Sequence, residues 1–255
     1  MKLAVIGSTG LVGSQLVALA ESQGHDVTGI SKDSGVDLLT GTGLADAFTG
    51  VEAVVNVVQS PNLEEQDSTA FFTTVATNLG RAASDAGVRR GVVLSIIGVD
   101  RVAAAEGEAG TGFDGYYKAK FAQEQATRDH TPGARVVRSA QFHDIARQAI
   151  GWGRSGDTTT IADLLIQPVD VAAMVAVLLD VGTGARDGEL TEVAGPRTEQ
   201  LAAMSSDFAR LEHEDVRVVA APAGEAVRDG VLLPGPDATL VGPTFSEWLA
   251  AREFV

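Results

Sequence analysis

Apolar positions along this 255-residue chain follow two alternating rhythms. Short apolar runs, such as Leu3-Ala4-Val5-Ile6 and Ala53-Val54-Val55-Asn56-Val57-Val58, give way to longer stretches in which apolar residues recur every three or four positions. The runs suit parallel strands buried on both faces, and the spaced stretches suit helices with one face against a sheet. The pattern predicts a strand over 3–6, then a helix over 11–23 with Val12, Leu16, Leu19 and Ala20 inward and Gly24 closing it. A strand over 25–31, a short helix over 42–49 and a strand over 53–58 follow. Pro61, Asn62 and Glu65 mark the start of a long crossover helix whose apolar face, Phe71, Phe72, Val75, Leu79, Ala82 and Ala83, runs on to Gly87. Next come a strand over 91–97, a Gly-rich stretch over 102–115 expected to be a mobile loop, a helix over 115–129 and a strand over 134–138.

Strands alternating with helices at this rhythm predict an α/β protein, a Rossmann-like doubly wound parallel sheet with helices on both faces. Beyond residue 140 the rhythm is irregular. A helix over 142–150, a turn around Trp152, a strand over 158–161, a helix from Pro168 to Leu179, a strand over 189–193, a helix over 198–211 and a strand over 216–220 are expected. The pair Thr244 and Glu247 forms the capping box of a terminal helix. The whole of 1–255 is expected to be one domain, with a small C-terminal substrate lobe built mainly from 141–165 and 184–240.

The junction between the first strand and the first helix reads Ile6-Gly7-Ser8-Thr9-Gly10-Leu11-Val12-Gly13. Glycines at 7, 10 and 13 permit a tight turn, close approach of the backbone to a pyrophosphate, and packing of the new helix on the sheet, while N–H groups at the helix start face the anion. An NAD(P) dinucleotide is therefore expected here, held by Gly7, Thr9, Gly10, Leu11, Val12 and Gly13. The spacing Gly-x-x-Gly-x-x-Gly differs from the commoner Gly-x-Gly-x-x-Gly.

At the end of the second strand, Ser31 and Lys32 offer a hydroxyl and a cation for the 2′-phosphate of NADP, whereas Asp33 would suit the ribose hydroxyl of NAD. The strand pattern favours Lys32, hence NADP(H), with NAD(H) the alternative. Asp37 is either an acceptor for the adenine amino group or a loop carboxylate.

Composition narrows the partners. The chain holds 34 acidic and 19 basic residues, a formal charge of −15, which repels nucleic acid and anionic membranes. With no cysteine there is no disulfide, thiolate metal site or thiol nucleophile, and the four scattered histidines show no metal-ligand spacing, so no metal is expected. The apolar fraction is 45%, yet no run approaches the ~18–20 residues of a membrane span. The opening Met1-Lys2-Leu3 leads straight into a strand with no signal peptide pattern, so a cytoplasmic protein with a small-molecule partner is expected.

Strand ends at the ligand-binding edge of such a sheet supply Val57, Val58, Gln59 and Ser95, and the next helix supplies Tyr116 and Lys120, four apart on one face. A lysine beside a phenol lowers its pKa and makes it a usable general acid or base, with Ser95 bonding the same substrate oxygen. The alternative is a surface pair in which Lys120 bonds Glu124. His143 is either a pocket-lining group or a helix-terminal histidine, and Trp152 either an apolar flap or a core filler.

The glycine loop, Val93-Leu94-Ser95-Ile96-Ile97-Gly98-Val99, Tyr116-Tyr117-Lys118-Ala119-Lys120 with Glu124, Arg138-Ser139-Ala140-Gln141-Phe142, Asp170-Val171-Ala172 and Gly195-Pro196 together resemble an atypical short-chain dehydrogenase/reductase (SDR) of the NmrA-like NAD(P)-binding group. The resemblance covers essentially the whole chain. It implies an adenine and 2′-phosphate site near Ser31, Lys32 and Asp37, and a nicotinamide site near Val57, Ser95, Lys120 and Phe142. Gln59, Phe142, His143 and Trp152 are then the expected substrate pocket. Members of the group include reductases of small carbonyls and quinones as well as redox sensors that bind the dinucleotide without turnover. The expectation is an NADP(H)-dependent oxidoreductase with Tyr116, Lys120 and Ser95 catalytic. A sensor and a sugar-nucleotide epimerase or dehydratase are the other readings.

Overall fold

The computed structural model describes residues 1–252, apart from the side chain of Arg228. The chain begins β1 (Lys2–Ile6), α1 (Leu11–Ser22), β2 (Asp26–Ile30), α2 (Leu44–Ala47), β3 (Ala53–Asn56), α3 (Glu65–Asp85) and β4 (Arg90–Ile96). It continues α4 (Val99–Ala104), α5 (Asp114–His130), β5 (Ala134–Ser139), α6 (Ile145–Trp152), β6 (Arg154–Ser155), β7 (Thr158–Ala162) and β8 (Leu165–Ile166). Then follow α7 (Val171–Thr183), β9 (Leu190–Ala194), β10 (Glu199–Gln200), α8 (Leu201–Leu211), β11 (Arg217–Ala221), α9 (Glu225–Arg228), β12 (Thr239–Leu240) and α10 (Phe245–Ala250).

A seven-stranded parallel sheet has the order β12-β9-β5-β4-β3-β1-β2. This is the expected Rossmann-like doubly wound arrangement. The order runs outward from β1 in both directions, so a crevice opens at the carboxyl ends of β1 and β3, where open α/β sheets bind ligands.

The chain divides into two compact units. The first comprises Met1–Val99, Gly115–Arg138 and Val175–Thr191. One of its cores forms where Ala4 and Ile6 of β1, Ile30 of β2 and Val54 of β3 meet Val75, Leu79 and Ala83 of α3. Those α3 positions repeat every four residues, which makes the helix amphipathic and fixes its buried face. Each such Val, Leu or Ile removed from water contributes about 1.5–3 kcal/mol. Gly87, at φ +73°, ends the helix with a backbone angle that other residues adopt at a cost.

The second unit comprises Asp100–Asp114, Ser139–Met174 and the chain from Glu192 on. Its three-stranded sheet, β11-β7-β6, pairs β7 with β11 in parallel, Thr158 opposite Arg217. Leu201, Met204 and Phe208 are buried along α8. The predicted capping box is present at α10: the Thr244 hydroxyl accepts the Glu247 N–H, and the Glu247 carboxylate accepts the Thr244 N–H at 2.8 Å.

Several expectations about elements need correction. The stretch 102–115 is not one loose loop. Val99–Ala104 is helical, the Arg101 guanidinium donates to the carbonyls of Val231 and Leu233, and the Asp114 carboxylate accepts the N–H groups of Gly110 and Thr111. The strand expected to reach residue 58 stops at Asn56, because the Asn56 side chain takes the Val58 N–H at 3.1 Å. The crossover helix starts at Glu65 rather than at Pro61, since Asn62 accepts the Glu64 N–H and holds the preceding turn. No described helix is long and apolar enough to cross a membrane.

Candidate functional site

The first unit carries a groove of about 760 Å³ whose wall includes Gly7, Thr9, Gly10, Ser31, Lys32, Asp37, Val57, Val58 and Gln59. Residues singled out from sequence, Asp33 among them, thus share one cavity. Its volume falls within the range of about 300–1,000 Å³ usual for small-molecule sites.

The glycine loop builds the floor. Gly7 stands at φ +88°, with the backbone of Val58 3.2 Å from where a Cβ would be, and its N–H donates to the Ile30 carbonyl at 2.8 Å. Gly13 lies against the turn itself: a Cβ there would come within 2.0 Å of the Gly7 carbonyl oxygen. Gly10 differs from both. Its φ of −77° is open to any residue, and the positive φ of the turn belongs to Gly7. A Cβ on Gly10 would meet only the Gly7 oxygen at 3.4 Å. Gly10 is also the N-cap of α1, without a side-chain cap or an acidic residue in the first turn, where Leu11 and Val12 stand. The leading N–H groups of the helix are left for an anion, and its dipole favours one. The site therefore fits a dinucleotide pyrophosphate.

These geometries separate two variants. Gly10→Val should fold like the parent and lose dinucleotide affinity, because the side chain enters the groove. Gly13→Val should fail to fold stably, because a side chain only 2.0 Å from a backbone oxygen lies far inside contact distance and the turn cannot give way. Thermal unfolding of both, followed by NADPH titration, checks the split.

The rim beyond β2 is a tight turn in which the Ser34 hydroxyl donates to the Ser31 carbonyl at 2.7 Å, and the Asp33 N–H to the Ser31 hydroxyl at 3.3 Å. Lys32 is exposed and has no ion-pair partner among the described residues. Asp33 and Asp37 share the groove wall with it. The Asp37 carboxylate accepts the N–H groups of Leu39 (2.8 Å) and Thr40 (3.3 Å), which hold it below the usual carboxylate range. Its Oδ1 thus braces the loop while the residue lines the groove, and Asn78 of α3 fixes the same loop by donating to the carbonyls of Leu38 and Leu39. Sequence reasoning missed Asn78, which lies forty residues away in a helix chosen for its apolar face.

Tyr116 and Tyr117 at the start of α5 are told apart by burial. Tyr117 is 6% exposed, whereas Tyr116 is partly open and its hydroxyl donates to Oε1 of Gln59 on the groove wall. The ring of Tyr116 packs edge-on against Phe72 at 5.8 Å. Burial, and secondarily Tyr117, raises the Tyr116 pKa, so the phenol keeps its proton at neutral pH.

The expected lysine-activated phenol is not formed. Lys120 is buried, its ammonium donates to the Leu94 carbonyl at 2.7 Å and to Oε1 of Gln123, and it lies 4.8 Å over the Phe72 ring. Nor does Lys120 bond Glu124, the alternative weighed for it. Glu124 is held by Arg138 of β5 through two parallel bonds of 2.9 and 2.8 Å, with both side chains buried. Ser95 of β4 is buried as well, and its hydroxyl has no hydrogen-bond partner among the described residues.

Phe142, His143 and Trp152 belong to the second unit. Phe142 bridges Val169 beside the start of α6. His143 is 1% exposed between Phe245 and Trp248, with Nε2 3.2 Å from the Pro243 carbonyl, and burial lowers its pKa. This is a packed histidine, so the expectation of a pocket-lining group is corrected. Trp152 is 55% exposed at the end of α6, edge-on to Phe113 at 5.0 Å, and so is not a core filler. No group of three or more His, Asp or Glu placed to hold a metal occurs among the described residues.

Comparison with known proteins places this geometry. No curated protein matches the sequence. Among solved structures, the chain is similar to a dTDP-4-dehydrorhamnose reductase from Bacillus anthracis in complex with NADP, at 14% identity over 97% of this chain and 96% of that one (TM-score 0.72). It is also similar to an SDR-superfamily protein from Agrobacterium tumefaciens with bound NAD, at 20% identity over 98% and 95% (TM-score 0.68). A third similar structure is a dTDP-4-dehydrorhamnose reductase from Clostridium acetobutylicum, at 18% identity over 87% and 84% (TM-score 0.71). At such identities the likeness concerns the fold. The family profile described as NAD(P)H-binding matches residues 7–181, from the glycine turn through most of α7. With the turn, the groove and this match on one stretch, the chain belongs to the NAD(P)H-binding family.

Proposed function

We propose that the chain is an NADP(H)-dependent oxidoreductase of the NmrA-like atypical SDR group, which transfers hydride to or from a small, largely apolar carbonyl or quinone-like compound. The observation that carries this reading is the Tyr116 hydroxyl, kept protonated and directed at Gln59 on the wall of the dinucleotide groove. The bound nicotinamide supplies or takes up the hydride. Tyr116 gives its proton to the substrate oxygen, and Gln59 aims the hydroxyl when no substrate is present. Ser95 offers an unsatisfied buried hydroxyl, a group that gains by meeting a polar ligand atom. Lys120 is the buried amine of the site. The substrate lobe is taken to be built mainly from 141–165 and 184–240, and the partner to be a cytoplasmic small molecule.

Lys32 and Ser31 are the proposed 2′-phosphate holders. Lys32→Ala should weaken NADPH binding by roughly tenfold, the scale of a charge-assisted bond at an exposed site, and leave NADH nearly unchanged. Fluorescence titration of both cofactors against parent and variant tests this. A parent that prefers NADH transfers the role to Asp33.

A second reading, reduction or epimerisation of a sugar nucleotide, is favoured by the dTDP-4-dehydrorhamnose reductases among the similar structures. NADPH oxidation followed over quinones, aldehydes, ketones and a dTDP-4-keto sugar separates the two. Tight NADPH binding with no oxidation across the panel would leave a sensor.

A further inference from the structure

Lys120 is a buried amine whose direct contacts are all with neutral groups. Its partners come from three elements: the Leu94 carbonyl of β4, the Phe72 ring of α3, and Oε1 of Gln123 one turn along α5. Glu124 of its own helix is the charged group that acts on it, and Arg138 of β5 holds that carboxylate. Arg138 engages both oxygens of Glu124, so that carboxylate makes no direct bond to the amine. Gln123 is 1% exposed, and its Nε2 has no hydrogen-bond partner among the described residues. A neutral amide that accepts from a buried amine while its own N–H groups go unsatisfied is a costly choice for a core position. A carboxylate of the same shape would have paired the charge.

We infer that Gln123 is a positioning residue for Lys120, holding the amine against Leu94 as a neutral acceptor so that it can exchange its proton instead of being locked as an ammonium. The inference deepens the proposed reductase site and rests on that reading for its purpose. Burial pushes Lys120 down to about 7, with Glu124 pulling the other way, which agrees with a proton exchanged in the neutral range. Gln123 touches neither substrate nor cofactor in this account and acts through Lys120 alone.

Only four lysines occur, at 2, 32, 118 and 120, so the titration of Lys120 can be read directly. The protein labelled with 13C-lysine gives one ε-methylene signal for each, and changing the other three to arginine in turn assigns Lys120 by elimination. In the parent, the Lys120 signal should titrate near neutrality, well below the ordinary lysine value of about 10.4. Gln123→Glu places an anion on the amine and should raise the midpoint by about 1–3 pH units. Gln123→Met removes the acceptor and should lower it. A midpoint unmoved in both variants, or a parent Lys120 that titrates near the ordinary lysine value of about 10.4, overturns the inference. Should Gln123→Met not fold, the isosteric Gln123→Glu still decides. No substrate enters the measurement, so the inference and the reductase reading fail independently: a titration as expected with no NADPH oxidation by the parent removes the reading alone.

Discussion

Tyr116→Phe should lower NADPH-dependent turnover by about 10²-fold or more, the usual scale for a lost general acid, with cofactor affinity nearly unchanged. The variant keeps the ring that packs against Phe72 and removes only the hydroxyl bonded to Gln59. Its stability should therefore change little. The phenol pKa is raised above its ordinary value of about 10, so in the reductive direction the acid is in its active form at neutral pH, and ionisation of Tyr116 should not depress the rate through about pH 9. A steady-state rate measured with the best substrate of the panel, across pH, tests both statements. Full activity in Tyr116→Phe would remove it as proton donor, and an alkaline loss well below pH 9 that disappears in the variant would mean that its pKa is lowered, not raised.

Glu124→Leu or Arg138→Met should each destabilise the fold by about 3–5 kcal/mol, because removing one partner leaves the other charge buried without its countercharge. The side chains are 0% and 5% exposed, and the two bonds are short and parallel. Removing both charges together, as Glu124→Leu with Arg138→Met, should cost far less than the sum of the single changes, since apolar pairs of similar volume often replace buried ion pairs without loss. Urea unfolding of the three variants completes the cycle. Equal and additive losses would show that the pair is not coupled.

Much of this was legible in the chain. The first βαβ unit, the glycine turn and the long crossover helix rest on local signals, namely apolar periodicity and glycines whose spacing has one structural use, and they appear within a few residues of their expected bounds. The groove brought together Gly7, Gly10, Lys32, Asp37, Val57 and Gln59 because strand ends at one edge of a parallel sheet converge by topology. What stayed hidden depends on partners far away in sequence. Spacing four along a helix places Tyr116 and Lys120 on one face, but it does not say that the Leu94 carbonyl will draw the amine inward, or that Arg138 will take Glu124. His143 resembled a pocket residue until Phe245 and Trp248, a hundred positions on, closed over it. The two-residue strands, such as β6 and β10, carry too few positions to show any period.

The uncapped start of α1 ties the chain's persistence to its nucleotide supply. A helix that opens on Gly10 without a side-chain cap leaves its leading donors to whatever anion arrives. A dinucleotide bound there adds its binding free energy to the folded state alone, about 2.7 kcal/mol at a hundredfold excess over the dissociation constant. The same glycine turn that makes room for the pyrophosphate thus couples occupancy to persistence, and the nucleotide-filled molecule should outlast the empty one under proteolysis.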